Sequence, residues 1–182
     1  MAKKIQIPPL TVELIPKTCW YSSIRAILKA KEWDKIRFIS YENANNKCEI
    51  CNQTGLEQGY KHRVECHEIW QYDNRKKIQR LIGLISLCPL CHQVKHIGRA
   101  FAIGKQAEVF QQLELVNSWN HKQVVEHVAE AFKINKQRSK YQWTLDLKFI
   151  TTPPYEIQIT PTTKRIFKKK YIRRKKNKKK SI

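Results

Sequence analysis

Cys48-Glu49-Ile50-Cys51, then 36 residues, then Cys88-Pro89-Leu90-Cys91-His92 is the spacing that decides the fold. Two thiolates two residues apart reach one ion from a tight knuckle, and zinc prefers four tetrahedral ligands. Four sulfurs leave no open position, so Cys48, Cys51, Cys88 and Cys91 predict a structural Zn²⁺ rather than a reactive one. The gap exceeds the roughly 15–20 residues of a compact zinc ribbon, so something folded must be inserted between the pairs. Cys19 and Cys66 stand outside this pattern, and Cys19 reads as a core residue.

The insertion reads as a hairpin. Arg63-Val64-Glu65-Cys66-His67-Glu68-Ile69-Trp70 alternates and carries the β-branched content of a strand. A polar turn follows at Tyr72-Asp73-Asn74-Arg75, and the apolar run 78–87 leads back into the second knuckle. That knuckle should open a helix, with Pro89 accepted in its first turn. His92 and His96 are then on one helix face. Successive helical residues are about 100° apart, so His92 projects away from any ion on Cys91 and toward the hairpin. A strand histidine opposite a helical pair, with acids beside it, predicts a second metal site. His92, His96 and Glu65 are candidate ligands, and open positions would remain for water and phosphate.

Outward from the centre the pattern becomes helical, so the fold class is α+β. Residues 1–19 read as extended, because Pro8, Pro9 and Pro16 block a helix. Ser22 or Ser23 caps a short helix over Ile24, Ile27 and Leu28, and a second helix covers 32–43. Residues 105–116 form a helix with Val109, Phe110 and Leu113 inward. Asn120-x-x-Gln123 resembles a capping box opening a helix over 121–137. Val125, Val128 and Phe132, with Val124 and Ala131, form its expected buried stripe. Trp143, Leu145 and Leu147 alternate as a short strand or clamp. The expected division is 1–44 for the N-terminal segment and helices, 45–100 for the zinc core, 101–150 for the C-terminal helices and clamp, and 151–182 for a linker and basic arm.

The charge adds a partner. The chain has 182 residues, with 36 Lys and Arg against 15 Asp and Glu, a net +21. Residues 164–182 hold 12 of those cations and no acid, which leaves 24 against 15, or +9, on residues 1–163. Such an excess suits a polyanion. Lys168, Lys169, Lys170, Arg173, Arg174, Lys175 and Lys176 of the arm, with Lys95 and Arg99 beside the helix, are the expected phosphate contacts, to DNA first and RNA second. If six to ten arm charges meet phosphates, affinity should fall ~10³–10⁵-fold between about 50 and about 200 mM salt. A content of 41% hydrophobic residues with five Gly excludes collagen-like and wholly disordered chains. No run reaches the roughly 18 apolar residues of a membrane span, and the start lacks the apolar middle of a secretory signal. Paired cysteines then predict an intracellular metalloprotein that is not secreted and binds no membrane.

Taken together, these segments resemble the HNH nucleases of ββα-metal fold, and more narrowly a group of phage and bacterial HNH proteins. The matching stretches are Cys19-Trp20 with Ile24-Arg25, Trp33-Asp34-Lys35-Ile36-Arg37, His67-Glu68-Ile69-Trp70-Gln71-Tyr72-Asp73, residues 83–99, Leu115-Val116-Asn117-Ser118-Trp119, and Arg138-Ser139 through Trp143-Thr144-Leu145-Asp146-Leu147. The resemblance covers about residues 10–150 and omits the arm. It implies an ββα-metal core with a four-cysteine zinc site, flanked by helices, and a metal-dependent endonuclease or nickase that hydrolyses DNA phosphodiester bonds. It also implies a catalytic divalent ion, Mg²⁺, Mn²⁺ or Zn²⁺, with His92 as helical ligand, His96 as auxiliary ligand and a hairpin His as general base.

Two departures from the family pattern shape the expectation. The hairpin pair is usually Asp-His or His-His, whereas here it is Cys66-His67 or His67-Glu68. In the first pairing His67 is the base, Cys66 fills the ligand slot, and Glu65 or Glu68 supports the metal. In the second, His67 is a ligand and Glu68 takes the base position. The first is preferred, since a His titrates near neutrality and an ordinary Glu does not. Gly83 stands where the family places an Asn, so the alternative is a zinc protein that keeps the scaffold and binds DNA or structured RNA without cutting it.

Overall fold

The hairpin organises the molecule. In the computed structural model, which describes residues 9–20 and 23–159, strand β1 (Glu65–Asp73) pairs antiparallel with β2 (Ile78–Leu87). The turn falls one or two residues later than the polar cluster suggests, at 74–77, where Lys77 adopts a left-handed φ of 56°. Ile69 pairs with Gly83 but Trp70 pairs with Leu81, so Ile82 is extra and the ladder bulges there. The bulge flips the parity of β2. Ser86 and Leu84 face one side, and beyond the bulge Leu81 takes up that same side.

Before the hairpin come a 3₁₀ turn (Lys17–Cys19), α1 (Ile24–Ile27) and α2 (Ala30–Asn43). After it come α3 (Pro89–Lys95), α4 (Ile97–Ala102), α5 (Gln106–Asn117), α6 (His121–Arg138), β3 (Thr144–Asp146) and α7 (Lys148–Thr151). The anticipated clamp is β3. It adds to β2 in parallel, from Ile78↔Thr144 to Arg80↔Asp146, and Arg80 Nε bonds Asp146 Oδ2 at 3.0 Å. The order of the three-stranded sheet is β1-β2-β3.

Two cores lie on opposite sides of the hairpin. One surrounds the cysteines with Leu10, Leu87, Val94, Ile97, Val109, Leu113 and Val124 from the N-terminal segment, β2 and α3 to α6. The other joins α1, α2 and α7 through Ile24, Ile36, Leu81, Leu147 and Ile150. Each such buried aliphatic side chain contributes about 1.5–3 kcal/mol. A hydroxyl pair, Ser40 Oγ to Ser86 Oγ at 2.9 Å, ties α2 to the hairpin without leaving a buried polar atom unsatisfied.

Several expectations need correction. The capping box at Asn120 and Gln123 forms as expected. Within the expected stripe of α6, Val124 and Val128 are buried and Ala131 packs beside them, while Val125 and Phe132 are 43% and 39% exposed. Residues 155–159 are no linker, because Tyr155 and Ile157 are buried in the second core and the Ile157 amide bonds the Ile150 carbonyl. Ser23 occupies the N-cap of α1 but its side chain does not cap it. The Glu68 carboxylate accepts from Ile24 N at 2.7 Å instead. The basic arm lies outside the described residues.

Candidate metal centres and their cleft

The sulfur centre is built by the two knuckles. Cys48 N bonds Gln53 O and Asn52 N bonds Cys48 O, which closes the first. Asn52 sits at φ 60°, the left-handed turn this tight loop needs. In the second, Cys88 is the N-cap of α3, Pro89 takes the first helical position and needs no amide partner, and Cys91 follows one turn in. Gly55 lets the loops meet, since a Cβ there would lie 2.2 Å from the His62 carbonyl and 2.9 Å from the Pro89 ring.

One sulfur atom from each of the four cysteines lies within 4.8 Å of the others. Cys51 Sγ is 3.5 Å from Cys88 Sγ and 3.7 Å from Cys91 Sγ. A zinc tetrahedron with Zn–S of about 2.3 Å has edges of about 3.8 Å, so the set can hold a structural metal ion. Sulfur hydrogen bonds from its three neighbours draw the Cys48 thiol far down, whereas Cys48, Cys51 and Cys88 push Cys91 far up. Gln58 Nε2 and Gln112 Nε2 donate to Cys88 and Cys91 sulfur at 3.2 Å each. Such outer donors orient metal ligands and spread thiolate charge. Neither glutamine stands out in sequence.

The nitrogen centre lies on the other side of α3. Strand alternation turns Glu65 and His67 toward α3 and turns Cys66 and Glu68 toward α1 and α2. His67, His92 and His96 each bring one ring nitrogen within 4.8 Å of the others. Their ring centroids are 5.3 Å (His67–His92), 4.9 Å (His67–His96) and 4.6 Å (His92–His96) apart. His96 is where α3 ends and α4 begins, at φ −104° and ψ 38°, with its amide still bonded to His92 O at 3.1 Å. His67 is only 3% exposed, and its Nε2 makes no hydrogen bond, its charged neighbour being Glu13 Oε2 at 3.5 Å. A buried imidazole packed against two more fits a cation better than it fits an empty protein interior. Burial lowers the basicity of His67, and burial with His92 and His67 nearby lowers that of His96 to about 3. His67 and His96 can therefore present unprotonated nitrogen.

Glu65 is not among the three clustered donors. It is bonded to His92 Nδ1 and takes a 2.9 Å contact from His62 Nε2. Burial acts to raise its carboxyl, but those histidines outweigh burial and hold it below the usual range.

The neighbours of His67 in both pairings lie on the other face of β1. The Cys66 thiol is on the far face of β1 and burial pushes it up to about 12, so it fills no ligand slot beside His67. Glu68, also on that face, accepts from Ile24 N and from Trp70 Nε1 at 3.1 Å. Burial, opposed by these bonds, raises its carboxyl to about 7. A water-activating base must reach water, and buried His67 does not meet that need as well as it meets a ligand's.

Lys95 is the other correction. It was expected to face phosphate, yet it is only 5% exposed. Its Nζ bonds Glu13 Oε1 at 2.6 Å and Thr11 Oγ1 at 3.1 Å. Arg99 remains exposed at the mouth, as expected of a phosphate contact. Two open clefts meet at the imidazoles, and Arg25, Trp33, Cys66, His92, His96 and Arg99 line both. Exposed Arg63 adds charge to one side, and exposed Lys17, Lys136 and Lys140 to the other. This basic rim was hidden in sequence, because its members come from five separate segments.

No helix among the described residues is long and apolar enough to cross a membrane. Comparison with protein-family models, with curated proteins and with solved structures returns no match.

Proposed function

We propose that the protein is a metal-dependent endonuclease or nickase of the HNH type, acting on DNA. The observation that carries the reading is the cluster of His67, His92 and His96 at the floor of a cleft rimmed by cations, beside a separate four-sulfur site. Three imidazole ligands leave coordination positions for oxygen ligands, as a catalytic site requires and a structural one does not. A divalent ion bound there would supply Lewis-acid charge for a scissile phosphate and its leaving oxygen.

The chain's own residues do the rest. Arg25, Arg99, Arg63, Lys17, Lys136 and Lys140 hold the phosphate backbone across the cleft. Glu65 orients His92. His67 acts as a ligand in this reading, while Glu68, on the opposite face of β1, is held by Ile24 N and Trp70 Nε1. The basic arm adds affinity without specificity.

The test is plasmid cleavage with Mg²⁺ or Mn²⁺ by wild type beside His67→Ala and His92→Ala. Wild type should nick, and both histidine variants should nick about 10³-fold more slowly. Equal cutting by wild type and the histidine variants would remove the enzyme reading. Tight, salt-sensitive binding with no cutting by any of them would favour the non-catalytic scaffold that Gly83 suggests. That residue lies inside the β ladder opposite Ile69, and a Cβ there would meet Ile69 Cδ1 at an ordinary 3.4 Å.

A further inference from the structure

Residues 10–18 run as a strap along α6, and the strap is fastened by side chains rather than by a sheet. Asn117 brackets Leu10, taking its N–H at 3.1 Å and donating to its carbonyl at 2.8 Å. His127 Nε2 accepts from Val12 N at 3.0 Å, Asn135 donates to Leu14 O at 3.2 Å, and Ser139 Oγ accepts from Lys17 N at 3.0 Å. Leu10 and Val12 are buried in the sulfur-centre core. Extended chain alternates, so the residues between them, Thr11 and Glu13, turn the other way. They meet Lys95, and Glu13 continues past it to His67, with Oε2 3.5 Å from Nε2.

We infer that Glu13 is a positioning residue for the imidazole centre: brought in by the strap and steadied by Lys95, it sets the orientation of the His67 ring and so the affinity of the three histidines for a divalent cation. The inference rests on reading those histidines as a metal centre and goes beyond it, because the strap is remote in sequence from the hairpin and knuckles. Glu13 itself is outside the group of clustered donors, so its action is through His67 rather than on the ion. A related arrangement is already present, since Glu65 is hydrogen-bonded to a ring nitrogen of His92. Carboxylates behind ligating imidazoles fix ring orientation and raise ligand basicity, and removing one typically costs about 10–100-fold in metal affinity. A competing role is also visible: Glu13 could serve only as the counter-ion of buried Lys95. The two roles differ in what Lys95 does to metal binding.

The experiment titrates Co²⁺ calorimetrically into full-length protein that retains one zinc per chain. Wild type, Glu13→Gln, Lys95→Met and the double variant are compared, with zinc content and thermal unfolding followed in parallel. The inference predicts one Co²⁺ per chain in wild type, an affinity about 10–100-fold lower in Glu13→Gln, near-wild-type affinity in Lys95→Met, and no recovery in the double variant. Recovery in the double variant would overturn it in favour of the counter-ion role, as would unchanged affinity in Glu13→Gln. If Glu13→Gln alone fails to fold, the charge-balanced double variant gives the same reading. Wild type that binds no Co²⁺ beyond its zinc, while Glu13→Gln unfolds normally, would overturn the metal reading and this inference with it.

Discussion

Cys91 and His92 are neighbours on α3, yet the first points into the sulfur cluster and the second into the cleft. The sulfur centre has four soft ligands drawn from both knuckles, two glutamine amides on its outer side, and a surrounding aliphatic core. The nitrogen centre has three imidazoles from a strand and one helix, carboxylates behind two of them, and open, cation-rimmed space in front. One helix thus serves a site saturated by protein and a site left incomplete. Ligand count and access, rather than distance along the chain, divide stability from chemistry.

The sharpest way to break this comparison is Cys91→Ser. Structural zinc contributes an apparent ~10–16 kcal/mol in small zinc domains, which rivals the whole net stability of about 5–15 kcal/mol of a folded domain. The variant should lose zinc and cooperative unfolding, seen by metal analysis and circular dichroism. A well-folded Cys91→Ser protein would mean that the two centres do not divide labour in this way.

His92→Ala is the converse. It should keep its zinc and its unfolding midpoint within about 1–2 kcal/mol, yet nick plasmid about 10³-fold more slowly, because the lost Lewis-acid charge amounts to several kcal/mol. Unfolding of this variant would make the nitrogen centre structural too.

Binding effects come next. Lys136→Ala with Lys140→Ala should flatten the log–log salt dependence of DNA binding by about 2, at about 0.9 per lost phosphate contact, with both metals retained. A chain ending at Thr163 should flatten it further, in proportion to the arm charges that reach phosphate. Loss of metal in either protein would tie the basic surface to the fold.

The smallest effect concerns the strap. His127 must be neutral to accept the Val12 amide, and burial together with Lys95 lowers its pKa from the ordinary 6.5. The unfolded chain therefore takes up that proton first. Its contribution, about 0.5–1.5 kcal/mol for one hydrogen bond, is present above pH 6.5 and is lost as pH falls through and below it. Urea midpoints between pH 7.5 and 5 should decline less in His127→Gln than in wild type. Equal slopes would remove His127 from the account.

Much of this was legible in the chain because it is local. Cys-x-x-Cys spacing, the i, i+4 pair His92 and His96, Pro89 at a helix start and the period-two alternation of 63–70 each fix neighbours within a turn or a strand. What stayed hidden depends on long-range approach. Glu13 reads as a single acid in an apolar extended stretch until α6 pins the strap beside Lys95. Lys95 reads as a surface cation until that same carboxylate buries it. Which side chains of β1 meet α3 is a matter of register that composition does not carry. Phe132 looked buried because α6 is amphipathic over a broad arc, and it lies at the edge of that arc.

The most direct measurement is anomalous scattering at the zinc and manganese edges from crystals of the full chain soaked in Mn²⁺. The account predicts a zinc peak among Cys48, Cys51, Cys88 and Cys91, and a separate manganese peak among His67, His92 and His96. Manganese absent from the histidines, or bound elsewhere in the cleft while they stay metal-free, would contradict it.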